Sequence, residues 1–149
     1  MSKIELSDPL PENVLEHPYD ATLDVATEFE AATECATQSG KRVLVNFGAN
    51  WCPDARILCT VLELPALQSF IHTQFETVMI DVGRYDMNMD MVEHLGFSNG
   101  LEGVPTILIL DADGRTLNAG EETRWRTARQ STPQDIADYF SKFAPTGAQ

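Results

Sequence analysis

The spacing of apolar residues changes period along the chain, and each period predicts an element. From Asp20 the spacing is helical: Val25, Phe29, Ala32 and Ala36 share one face, with Cys35 beside that stripe and Gly40 as a C-terminal stop. Val43-Leu44-Val45-Asn46-Phe47, bounded by Gly48, is a short apolar run expected to be a buried central strand. Asn50-Trp51-Cys52-Pro53 then opens a second helix, with Pro53 in the first turn, where a missing N–H costs nothing. Its inner stripe is Ala55, Leu58, Cys59 and Leu62, and at Pro65 the helix either bends or gives way to another through Ala66 to His72.

Residues 78–82 form a second apolar strand, so strand, helix and strand imply a right-handed parallel crossover. A polar, glycine-containing excursion over 83–103 holds a short helix near 88–95. Residues 106–110 are a third strand, which Asp113-Gly114 turns into a fourth over 115–119. Thr132-Pro133-Gln134-Asp135 starts a last helix in capping-box fashion, with Ile136, Phe140 and Phe143 on one face. The pattern predicts an α/β fold, a central mixed β-sheet flanked by helices. Prolines 9, 11 and 18 mark residues 1–19 as an extended N-terminal arm, followed by the domain over 20–144 and a short tail over 145–149.

Composition narrows the partners. With 23 acidic against 10 basic residues the net charge is -13, which disfavours nucleic acid and anionic membrane surfaces. No apolar run approaches a membrane span. Three cysteines are too few for a disulfide-stapled scaffold, and 149 residues suffice for one core without staples or metal. The first twenty residues lack the apolar block of a secretory signal, so the expected compartment as written is the cytoplasm; removal of an export signal would make it the periplasm.

The chemistry centres on Cys52, where a buried strand hands over to a helix. The free N–H groups and positive dipole end of a helix start favour a thiolate, by up to about 2 kcal/mol in good geometry. Asp54 opposes this effect. The sulfur is expected at the helix tip and open to solvent; the plain alternative is an inert packed thiol.

The stretch from Val43 to Arg56, with Trp51-Cys52-Pro53-Asp54-Ala55 at its centre, together with Gly103-Val104-Pro105-Thr106 before a strand, resembles the thioredoxin superfamily. It is similar in particular to bacterial disulfide-isomerase-like members, over nearly the whole chain from about His17 to Phe143. The resemblance implies a thioredoxin fold and makes Cys52 the nucleophile. It places Trp51, Pro53, Val104 and Pro105 around the substrate, with Pro105 preceded by a cis bond and the Val104 backbone offered to a bound peptide.

Three positions depart from the pattern. The second, resolving cysteine of Cys-x-x-Cys is replaced by Ala55, which removes an intramolecular attack worth an effective molarity of about 10⁵ M or more. The family's buried acid falls at Asn46, which cannot act as a base, and a lysine common on the next strand falls near Thr77. Cys59 is two helical turns from Cys52, about 10 Å along the axis, beyond the roughly 4.4–6.8 Å that a disulfide spans, so packing is its expected role. Cys35 is expected to be structural as well.

The expected function is thiol-disulfide exchange by a single nucleophile. Cys52 attacks a protein or small-molecule disulfide, and an external thiol such as glutathione resolves the adduct. Two alternatives stay open: a redox-inactive module that binds peptides beside Pro105, or a resolving-Cys-to-Ala variant of a dithiol oxidoreductase. No cofactor and no metal are expected. Met87, Met89, Met91 and His94 suit Cu(I) by chemistry, but Met87, Met91 and His94 share a helix face as core residues do. His17, His72 and His94 lack ligand spacing, and Gly96, Gly100 and Gly103 lack the helix start of a phosphate loop. Arg124, Arg126 and Arg129 are expected to pair with Glu121 and Glu122 on a helix face, with Trp125 partly packed.

Overall fold

The computed structural model describes Leu6 and residues 10–145; the predicted tail beyond Pro145 lies outside the described residues. Helix α1 (Val25–Ser39) begins five residues later than its apolar period suggests. The reason is local: the Asp20 carboxylate accepts from Thr22 N and Thr22 Oγ1, which holds a turn, and Asp24 takes over as N-cap by accepting from Thr27 N at 3.2 Å. Gly40, with φ 78°, closes the helix in the left-handed region.

Strand β1 (Arg42–Gly48) is followed by α2 (Pro53–Leu62), α3 (Pro65–Gln74) and β2 (Phe75–Asp81). Each of the two helices starts on a proline, so Pro65 begins a new helix rather than bending the old one. The second strand starts at Phe75, three residues earlier than its apolar run, because Phe75 pairs with Arg42 at the head of β1. Helix α4 (Met89–His94), strand β3 (Thr106–Leu110), a 3-10 helix (Arg124–Gln130) and α5 (Pro133–Lys142) complete the order. Thr132 and Asp135 form the predicted capping box.

Among the described residues the strands form one mixed sheet in the order β2-β1-β3, β2 parallel and β3 antiparallel to β1. The predicted fourth strand is reduced to a single bridge between Leu110 and Thr116. Just beyond that bridge the Asn118 side chain joins the backbone pairing. It accepts from Ile109 N at 2.9 Å and donates to Ile107 O at 2.8 Å, and shares the edge of β3 with backbone bonds from Leu117 N to Ile109 O and from Ile107 N to Glu122 O.

Alternate residues of β1 feed two cores. Val43, Val45 and Phe47 pack with α1 and α4, while Leu44 packs with α3, α5 and the 3-10 helix. Cys35 does not join the first core. It is exposed, one position off the Ala32–Ala36 stripe, a correction to its expected packing. Met91 is core, Met89 packs against it, and exposed His94 stacks edge-on against Phe29.

Of the predicted arm, residues 1–5 and 7–9 lie outside the described residues, and the rest is attached to the domain. Leu15 N donates to Thr60 Oγ1, and Leu15 O accepts from Arg56 Nε, both at 2.9 Å, which ties it to α2. Tyr19, at the end of the predicted arm, is itself core. A Cβ on Gly48 would lie 2.1 Å from the Tyr19 ring, so only glycine leaves room for it there.

Candidate functional site

The site is assembled where β1 ends. Cys52 is the N-cap of α2, in extended conformation at φ -91° and ψ 116°, with Pro53 as the first helical residue. Its own N–H bonds to Ala49 O and its carbonyl accepts from Arg56 N, so the backbone is fixed on both sides. The antiparallel register of β1 and β3 pairs Phe47 with Thr106, which brings the loop before β3 alongside Cys52. In that loop the Val104–Pro105 peptide bond is cis. The Cys52 thiol donates to Val104 O at 3.5 Å.

That hydrogen bond corrects one expectation. Cys52 is only 7% exposed, rather than open to solvent, because its sulfur turns inward to the Val104 carbonyl. Asp54 also behaves differently from a simple opposing charge. Its carboxylate is nearly buried, accepts from Arg129 N at 2.9 Å and lies 3.9 Å from the Arg129 guanidinium. Its charge is therefore satisfied away from the thiol. Ala55, where a second cysteine would stand, is fully buried.

Under the site lies a closed polar network. Tyr19 Oη donates to Asn46 Oδ1 at 2.7 Å, Cys59 Sγ donates to Tyr19 Oη at 3.3 Å, and Asn46 Nδ2 lies 3.6 Å from Cys59 Sγ. All three residues are buried. Burial, before any other cause, raises the Cys59 thiol from 9.0 to about 11 and lifts the Tyr19 phenol well above its usual range. The network is therefore neutral, and the position of the family's buried acid holds a group that neither gives nor takes a proton.

The basic cluster departs from its expected surface pairing. Trp125 is 1% exposed, with Arg124 stacked 4.1 Å from its ring centroid. Arg126 Nη2 donates to Gly103 O at 3.0 Å and to Thr106 Oγ1 at 2.8 Å. It thereby braces both ends of the Val104–Pro105 loop, and the guanidinium lies 3.2 Å from where a Gly103 Cβ would sit. Arg129 serves Asp54, and Glu121 pairs with Lys142 at 3.6 Å. These roles were invisible in the sequence, where nothing local marks the distant loop each arginine reaches.

At the outer rim Trp51 is 42% exposed, and its Nε1 donates to Gly83 O at 2.7 Å. Tyr85 meets it edge-on with ring centroids 6.0 Å apart, and Arg84 lies 5.6 Å from the Trp51 centroid. The residues predicted from sequence thus divide by place. Cys52 and Val104 touch, Pro53 starts the helix, Pro105 carries the cis bond, and Trp51 faces outward. Tyr19, Tyr85 and Arg126 were missed. Among the described residues no cluster of histidine, cysteine and acidic side chains could hold a metal ion.

Residues 24–112 match the Thioredoxin-like family. A disulphide isomerase from Xylella fastidiosa is 32% identical, with a TM-score of 0.78, over 86% of this chain and 97% of that one. The C-terminal domain of DsbD from Neisseria meningitidis, in its oxidised form, is 20% identical with a TM-score of 0.48, over 64% of this chain and 81% of that one. Extent of match, identity and shared architecture agree: this chain belongs to the thioredoxin-like family.

Proposed function

We propose that the protein exchanges thiols with disulfides through one nucleophile, Cys52. The observation that carries this reading is the Cys52 sulfur at the N-terminus of α2, against the Val104 carbonyl of the cis-proline loop, with Ala55 in place of a second thiol. The form that attacks a disulfide is the thiolate. Loss of the proton also removes the donor to Val104 O, which then becomes free to accept from a substrate backbone N–H, as in strand addition.

The step balances without an added oxidant. The Cys52 thiolate attacks one sulfur of the substrate disulfide; that S–S bond breaks, a Cys52–substrate disulfide forms, and the departing sulfur leaves as a thiolate that takes a proton from water. An external thiol such as glutathione, entering as its thiolate, then attacks the mixed disulfide on the substrate sulfur. That returns Cys52 and leaves a substrate–glutathione disulfide. Isomerisation follows when the attacking thiol belongs to the substrate itself, and the similarity to a disulphide isomerase supports this direction.

Insulin reduction with glutathione as the resolving thiol tests the reading. Turnover is expected from the protein and none from Cys52→Ser; equal rates from both overturn it. A second reading, peptide binding without redox chemistry, is favoured by the 7% exposure of Cys52. It expects an extended peptide to bind the protein and Cys52→Ser equally while neither forms a mixed disulfide.

A further inference from the structure

Among the described residues two large apolar side chains are exposed, Trp51 at 42% and Tyr85 at 38%. Scattered exposed hydrophobics are ordinary. These two touch each other, and one of them precedes Cys52 in the chain.

The backbone keeps Tyr85 there at a cost. Its φ is 66°, in the left-handed region that an aromatic residue rarely enters, at a penalty of about 1–2 kcal/mol. A dense set of hydrogen bonds offsets the penalty. Val82 O accepts from the N–H groups of Tyr85, Asp86 and Met87 at 2.9, 3.2 and 3.3 Å. Asp81 holds both ends of the loop: its Oδ1 accepts from Gly83 N and its carbonyl from Asn88 Nδ2, each at 2.7 Å. Gly83, at φ 57°, also takes the left-handed region, where a Cβ would press on Asp86 Oδ1 at 2.6 Å. The loop is rigid, and it spends that rigidity on holding a ring toward solvent beside Trp51. Among the described residues neither core cluster includes that ring.

We propose that Tyr85 is a specificity-determining residue. With Trp51 it forms an aromatic platform that selects polypeptide disulfides carrying an aromatic or large aliphatic residue next to the reacting cysteine. The proposal rests on the reading of Cys52 as the nucleophile and names its substrate class. Trp51 directly precedes Cys52, and an extended chain advances about 3.3 Å per residue, so the proposal places a neighbour one or two positions from the substrate sulfur against the platform. Glutathione disulfide, with only a glycine and a γ-linked glutamate beside its cysteine, has no side chain to place there.

The test measures mixed-disulfide formation on Cys52 by intact mass, with two peptide disulfides that differ only in tryptophan or glycine beside the cysteine. The protein is expected to react about tenfold faster with the tryptophan peptide, the value of roughly one good aromatic contact. Tyr85→Gly removes the ring and suits the positive φ, so the loop keeps its shape; its preference is expected to fall to about twofold or less. Tyr85→Phe keeps the ring and is expected to keep the preference. An undiminished preference in Tyr85→Gly, or equal rates with both peptides in the unmodified protein, overturns the proposal alone. No adduct with either peptide or with glutathione disulfide overturns the reading of Cys52, and the selectivity falls with it.

Discussion

Cys52 caps the start of α2, and Cys59 lies two turns further along the same helix. Both are nearly out of contact with solvent, at 7% and 3% exposure. Their neighbours differ. Cys52 stands at the helix start with its thiol on one backbone carbonyl, Val104 O, of the cis-proline loop. Cys59 lies against the neutral Tyr19–Asn46 pair, and burial pushes its thiol up to about 11. Exposure alone would have ranked the two alike. The comparison teaches that a thiol's chemistry follows which polar groups face it and whether they can exchange partners.

The sharpest way to break this contrast is to give Cys52 the partner that the fold withholds. Ala55→Cys is expected to release peptide from a Cys52 mixed disulfide at least about a hundredfold faster in the absence of added thiol, because the second thiol attacks from within. Thiol titration of the preformed adduct reads the release, and unchanged release would mean that α2 cannot bring position 55 to the sulfur.

Smaller effects come from the network around Cys59. Tyr19→Phe deletes the hydroxyl that joins Asn46 to Cys59 and leaves both buried groups short of a partner. It is expected to cost about 1–3 kcal/mol in urea unfolding. A loss below the error of that measurement would show that the network is not what holds Tyr19 in the core.

The weakest effect is on pH dependence, and its sign is determined. Cys59 keeps its proton in the fold up to about 11, against an ordinary 9.0, so between those values the folded state binds more protons than the unfolded chain. Stability from this group is complete below about pH 9 and is lost as pH rises toward 11. Burial of Tyr19 acts in the same direction. Unfolding midpoints across that range are expected to fall with pH, and Cys59→Ala to make the fall shallower; an equal slope in the variant would assign it to other groups.

Much of the fold was legible because its signals are local. The apolar period of α1, the run of β1, the prolines that start α2 and α3, and the capping box of α5 each depend on residues within a turn or two. The fourth strand was misread for the same reason. Asp113-Gly114 does make the turn, with Gly114 N bonding to Asp111 O, and the backbone pairs as far as Leu117, but at Asn118 a side chain takes over from the strand. A hairpin signal and a side-chain bridge look alike until the partner strand is in place. Arg126 was misread as a surface charge because its partners, Gly103 and Thr106, lie about twenty residues away on another element.

By itself the sequence determined the order of the helices and of the first three strands, the placing of Cys52 at a helix start and the lack of a second thiol at Ala55, since periodicity, proline position and residue identity need no distant partner. Tertiary structure alone decided that the Cys52 sulfur turns to Val104, that Tyr19 closes the space beneath it, and that Tyr85 stands beside Trp51. Each of those outcomes is a contact between segments that only folding brings together, and a polar or aromatic side chain carries no mark of which distant group will satisfy it.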